Sequence, residues 1–120
     1  MASSLIEVFA QWRVPPAQTR AIATALQVLM QATRDERGCL ACRLTTEVGD
    51  QVTLSYEEAW ATEGELERHI RSERFAQLAE LAESATEEPR FEFRFPTGTR
   101  GLEYAEQIRR AGAAPGLPYQ

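Results

Sequence analysis

The chain has 120 residues, 43% hydrophobic and 26% charged, with a net charge of -5, a size that suits one domain with a modest core. The acidic balance argues against sequence-independent nucleic-acid binding and against attachment to an anionic membrane, which both need a basic footprint. No stretch approaches the roughly 18 apolar residues of a membrane span.

Leu5 to Val14 alternates, with Ile6, Val8, Ala10, Trp12 and Val14 on one face and Glu7, Gln11 and Arg13 on the other. That period of two predicts a half-buried strand. Pro15-Pro16 ends it and suits the first turn of a helix. Ile22, Leu26, Leu29 and Met30 then recur at helical spacing, and Arg34 to Gly38 forms a polar exit. A second strand is expected from Cys39 to Val48. After a short turn at Gly49-Asp50, a third strand places Val52, Leu54, Tyr56, Glu58 and Trp60 on one face.

Thr62-Glu63-Gly64-Glu65 reads as a capping box, opening a helix with Leu66, His69 and Ile70 on one side. Ser72 starts a second helical segment, with Phe75, Leu78 and Ala82 inward. Phe91, Phe93 and Phe95 alternate with charge in a last strand, which Pro96-Thr97-Gly98-Thr99 stops. Leu102 to Arg110 reads as a short helix with a Leu102, Ala105, Ile108 stripe. The Pro/Gly-rich tail from Gly112 is expected to be mobile unless a partner holds it.

The order is β-α-β-β-α-β plus a C-terminal helix, a ferredoxin-like α+β arrangement with an antiparallel sheet. Residues 1–96 form the domain, and 97–120 the C-terminal helix and tail. Helices cover one sheet face. The other mixes Arg13, Arg43, Glu57, Glu92 and Arg94 with Phe9, Thr53 and Ala59, a composition that a second copy packed sheet on sheet would cover. Met1 to Ser4 has no charged region followed by a long apolar run, so the reading is cytoplasmic. Cys39 and Cys42 form a C-x-x-C on a strand rather than at a helix start. Strand positions three apart face opposite ways, so reduced, structural thiols are expected. All 13 basic residues are Arg, and there is no Asn.

From Gly38-Cys39-Leu40 onward the chain resembles the antibiotic biosynthesis monooxygenase family. The resemblance rests on that turn into a strand and on Leu54-Ser55-Tyr56-Glu57-Glu58-Ala59-Trp60. It continues in Leu66-Glu67-Arg68-His69 and Ser72-Glu73-Arg74-Phe75. It spans roughly residues 5 to 95 and implies a ferredoxin-like subunit in a homodimeric α+β barrel. The better-known activities of the family are cofactor-free oxygenation of quinols or aromatic polyketides and, in one branch, haem degradation. Glu58 and Trp60 hold the strand-end pair, His69 the helix histidine and Phe75 the aromatic after it. The chain departs from the family at Cys42, where Tyr is common, and in lacking the Asn that some of its oxygenases use. Ala79 stands where the haem-degrading branch places its iron ligand.

Ground-state oxygen is a triplet and reacts slowly with closed-shell molecules. A cofactor-free oxygenase therefore needs a substrate that gives up an electron, as deprotonated phenols and quinols do. It also needs a dry apolar pocket and a base. Trp12, Tyr56, Trp60, Phe75 and Phe93 are candidate walls, with Glu58 among the substrate-binding residues. His69, with an ordinary pKa of about 6.5, is the natural base, and Trp60 is its catalytic companion. Each has a structural alternative. The aromatics serve equally as core, Glu58 as the partner of an Arg or a helix N-terminus, and His69 as a satisfied buried histidine. No dinucleotide fingerprint is present and a lone His makes an iron site improbable, so no cofactor or metal is expected. The leading expectation is a cofactor-independent monooxygenase acting on an electron-rich aromatic, quinol or polyketide-like ligand. The alternatives are a non-catalytic dimeric barrel that binds a small molecule and, behind it, haem binding or degradation.

Overall fold

The computed structural model describes residues 5–113. In chain order it contains β1 (Ile6–Val14), α1 (Pro16–Arg34), β2 (Cys39–Glu47), β3 (Val52–Trp60), α2 (Glu63–Ile70), α3 (Glu73–Ala82), β4 (Arg90–Phe95), β5 (Gly98–Arg100) and α4 (Leu102–Ala113). The strands form one antiparallel sheet in the order β2-β3-β1-β4-β5. This is the expected ferredoxin-like α+β arrangement with one strand added. Among the described residues, no helix is long and apolar enough to cross a membrane.

Registry converts the alternating pattern into a single buried face. Ile6 lies opposite Trp60, Val8 opposite Glu58, Ala10 opposite Tyr56 and Trp12 opposite Leu54. Directly opposed residues share a face, so the inward sets of β1 and β3 merge, and all eight of these side chains are buried. Ile22, Leu26, Leu29 and Met30 of α1, Leu66 and Ile70 of α2, and Phe75 and Leu78 of α3 close over them.

Helix starts follow local chemistry. The Thr62 hydroxyl accepts from the Glu65 amide at 3.2 Å. The Glu65 side chain does not return to the Thr62 backbone, as a full capping box would; its carboxylate accepts from the Thr62 hydroxyl at 3.0 Å. Ser72 caps α3 through the Phe75 amide. Gly38 turns the chain into β2 at φ +92°, and a Cβ there would run into the Glu65 carboxylate. Only glycine meets both demands without strain.

Three expectations need correction. Pro96-Thr97 does not end the sheet. It turns the chain, and Gly98, Thr99 and Arg100 pair with Phe95, Arg94 and Phe93 as the edge strand β5. The inward stripe of α4 is Tyr104, Ala105 and Ile108, while Leu102 is exposed, because a sheet edge of Phe93 and Phe95 selects the face that carries the large ring. Finally, β2 carries a bulge between Cys39 and Ala41, so that Cys39 lies opposite Trp60 and Cys42 opposite Glu58. The extra residue cancels the odd spacing, and both thiols lie over the helical face rather than on opposite faces. Both are free, Cys42 buried and Cys39 half-buried.

Residues 1–4 and 114–120 lie outside the described residues, and with them the N-terminal reading and most of the tail.

Candidate functional site

Alternation along β3 places Tyr56, Glu58 and Trp60 side by side on the helical face, and α2 lowers His69 onto them. Glu58, 2% exposed, gathers three donors. Its Oε2 accepts from the Tyr56 hydroxyl at 2.7 Å and lies 3.0 Å from His69 Nε2. Its Oε1 accepts from the Trp60 indole N–H at 2.8 Å. The Cys42 thiol donates in turn to the Tyr56 oxygen at 3.2 Å. The other His69 nitrogen, Nδ1, is 2.9 Å from Glu36 Oε2, and the same oxygen accepts from Arg74 Nε. The chain of polar groups thus runs from Cys42 deep in the sheet to Arg74, which is about one-third exposed.

Charge follows from this geometry. Burial alone would push Glu58 up. The His69 hydrogen bond and charge outweigh it, with help from Tyr56 and Trp60, and hold the carboxyl below its ordinary range. Burial would likewise lower His69. The hydrogen bond and charge of Glu58, joined by Glu36, overcome it and raise the ring above 6.5. Each ring nitrogen faces a carboxylate oxygen, an arrangement that favours the imidazolium donating to both, with no lone pair free on either nitrogen. Burial pushes the Cys42 thiol up to about 12, the negative Glu58 adding to it against the Tyr56 hydrogen bond, so this thiol is no nucleophile.

Stability should follow pH accordingly. His69 binds its proton more tightly folded than unfolded, so its contribution is complete below about 6.5 and is lost as pH rises through the raised folded value. Glu58 contributes fully above about 4.5 and loses its contribution as pH falls through the lowered folded value. A plateau between about pH 4.5 and 6.5 is expected, with the alkaline limb falling by at most about 1.4 kcal/mol per unit. Urea melts of wild type and His69→Gln across pH 4 to 9 test this. An alkaline limb of equal slope in both would refute the assignment to His69.

A row of rings leads away from the centre. Trp60 and His69 lie 4.7 Å apart, His69 and Phe75 6.1 Å, Phe75 and Phe93 6.2 Å, and Phe93 and Tyr104 5.4 Å between centroids. Of the residues singled out in sequence, His69, Trp60, Tyr56, Glu58, Phe75 and Phe93 are thus brought together. Trp12 is not. It is buried farther along β1, opposite Leu54, and its indole N–H has no partner among the described residues. The partner of Glu58 is a histidine, rather than the expected arginine or helix N-terminus. Glu36 and Arg74 were missed: one lies in a polar turn, the other at an ordinary helix position, and neither carries a local signal.

The centre is sealed: Trp60 and Phe93 are fully buried and His69 is 1% exposed. Two surface clefts lie elsewhere. One of about 510 Å³ is lined by Met30, Arg34 and Leu44, and another of about 480 Å³ by Arg13, Glu47 and Asp50.

A sequence profile described as antibiotic biosynthesis monooxygenase matches residues 5–81. No curated protein matches the chain. Among solved structures, a conserved protein from Methanosarcina mazei Go1 is 26% identical at a TM-score of 0.67, covering 77% of this chain and 92% of its own. A structure titled antibiotic biosynthesis monooxygenase is 24% identical at a TM-score of 0.63, covering 73% and 94%. Rv0793 from Mycobacterium tuberculosis is 23% identical at 0.62, covering 75% and 92%. At these identities the latter two testify to the fold. The profile match covers more than half of the chain, including the β3 and α2 residues that build the buried centre, and the chain belongs to the antibiotic biosynthesis monooxygenase family.

Proposed function

We propose that the protein is a cofactor-independent monooxygenase acting on an electron-rich aromatic, a quinol or a polyketide-like phenol. The observation that carries this reading is the buried Glu58–His69–Trp60 centre at the end of a row of rings, in a member of this family. Phe75, Phe93 and Trp60 supply apolar ring surface for a planar substrate. Tyr56 and Trp60 hold Glu58 in place through their donated hydrogen bonds.

The geometry changes the role assigned to His69. Both of its nitrogens are engaged, so it acts as a relay rather than as a lone base. The Glu58 carboxylate accepts the substrate proton while the imidazolium releases its Nδ1 proton to Glu36, whose side chain reaches the surface, and keeps its Nε2–H donated to Glu58. In an anthrone-type reaction a ring CH2 becomes C=O. One oxygen atom of O2 enters the carbon, the other leaves as water with the two hydrogens, and the substrate supplies every electron. Deprotonation of the substrate starts this sequence, and the relay carries that proton out.

Oxygen uptake by colourless, metal-free protein with a hydroquinone and anthrone panel tests the reading. Activity in the wild type is expected, with His69→Ala slower by about two to four powers of ten, the usual worth of a proton-transfer group. The variant must stay folded for the comparison to count. Activity with an unchanged His69→Ala rate would remove the relay and leave the oxygenase. The engagement of both His69 nitrogens favours one second reading, a dimeric barrel that binds a small molecule without catalysis, which an inert wild type would support.

We also infer a homodimer formed through the open sheet face. On that face Arg43 pairs with Glu57 at 2.9 Å and Arg94 with Glu92 at 2.9 Å, while the Arg90 and Arg94 guanidinium groups lie 5.5 and 4.7 Å from the Phe9 ring centre. Charges satisfied within the chain allow the face to be covered without stranding one of them. Sedimentation at micromolar concentration is expected to give twice the chain mass, and a stable monomer would refute it.

A further inference from the structure

The row of rings ends at α4, which among the described side chains has the fewest buried residues of the four helices. Among its described side chains Tyr104 and Ala105 are buried and Ile108 packs partly buried against the core, whereas α1 buries Ile22, Leu26, Leu29, Met30 and Thr33. Arg100 of β5 donates to Gln107 at 3.0 Å, pairs with Glu103 at 3.7 Å and lies over the Tyr104 ring, and further polar ties run to α2 and the turn after it. Arg109 Nη1 donates to the Ile70 carbonyl at 2.7 Å and to the Ser72 carbonyl at 3.3 Å, and the Tyr104 hydroxyl reaches Glu63 at a long 3.4 Å. Gly101 joins the helix to β5. Elements with little buried surface open first.

Tyr104 plugs the end of the row. Its ring lies 5.4 Å from Phe93 and 5.0 Å from Phe95. Phe93 touches Phe75, Phe75 faces His69, and His69 stacks on Trp60. Withdrawing this ring opens the side of Phe93 that continues inward to the buried centre.

We propose that α4 is a displaceable lid and that the ring surface it covers, Phe93 and Phe95, is the entry site for a planar aromatic ligand that takes the place of Tyr104. Recognition is by ring stacking on Phe93, with the ligand replacing one aromatic contact by another. The proposal concerns binding alone, so it stands or falls separately from oxygenase activity.

The probe is 2-naphthol, titrated into the whole chain by calorimetry, with amide exchange followed over residues 102–113. A ligand that needs an open lid binds with an affinity reduced by the open fraction. Arg109→Gln removes the tie to the Ile70 and Ser72 carbonyls and should tighten naphthol binding by about tenfold. Tyr104→Ala, which removes the plug itself, should tighten it as well. In the unmodified protein, saturating naphthol should speed exchange in α4 while the sheet stays protected. This last measurement needs no variant, so a failure of either variant to fold does not spare the proposal. Naphthol that does not bind, binds equally to all three proteins, or leaves α4 exchange unchanged would overturn it.

Discussion

Replacing Glu58 with Ala is expected to cost about 3–5 kcal/mol of folding stability, the usual penalty for deleting one member of a buried charge pair. The side chain is fully buried and is the common acceptor of Tyr56, Trp60 and His69. Deleting it strands two neutral donors and leaves the imidazolium with Glu36 as its remaining carboxylate. Each unmet donor carries its desolvation cost of about 1–3 kcal/mol. Glu58→Gln should lose less, because the amide oxygen still accepts from one or two of these groups, but it cannot balance the His69 charge. Urea unfolding gives the numbers, with unchanged slopes showing that compactness is intact. A loss below about 1 kcal/mol for Glu58→Ala would mean that the network is not held together by this carboxylate. The same variant should lower the His69 pKa, since it removes the larger of the two interactions that raise it.

Phe93→Ala should cost a similar amount, about 3–5 kcal/mol, for a different reason. The ring is fully buried and lies between Phe75 of α3 and Tyr104 of α4. Its removal deletes apolar surface and leaves a cavity that backbone from two helices and a strand cannot easily close. The loss should be visible in two places. Global stability falls in urea, and α4 amides exchange faster even where the rest of the chain stays protected, because Tyr104 loses its main support. A loss below 1 kcal/mol, or α4 exchange equal to that of the wild type, would show that the ring row does not carry load between the layers.

The contrast between these two sites shows how far the chain could be read before folding. Phe93 was visible as one of three phenylalanines alternating with charge, and alternation alone put it on the inner face. Glu58 was visible as a carboxylate on an apolar face, but its partner was not. Nothing near residue 58 names residue 69, and nothing near residue 69 names residue 36. Glu36 looks like any other charge in the turn from Arg34 to Gly38, and Arg74 like any other charge in a helix.

Local order was determined by the amino-acid sequence itself. Period two in β1 and β3, period 3.6 in α1 to α3, the caps at Thr62 and Ser72 and the turn at Gly38 are set by interactions between residues a few positions apart, and these survive without knowledge of the rest of the chain. The layer order and the face of each long element follow from them. Four features came only with the tertiary structure. They are the bulge that brings Cys39 and Cys42 to one face, the three-residue strand β5, the face that α4 turns inward, and the closure of His69 between Glu58 and Glu36. Each depends on a partner at long range: β3 for the bulge, β4 for β5, Phe93 and Phe95 for α4, and the docking of α2 against both the sheet and the α1–β2 turn for His69. Short edge strands and bulges have too little intrinsic preference to declare themselves. A buried charge declares only that it must be paired, and leaves the choice of partner to the packing.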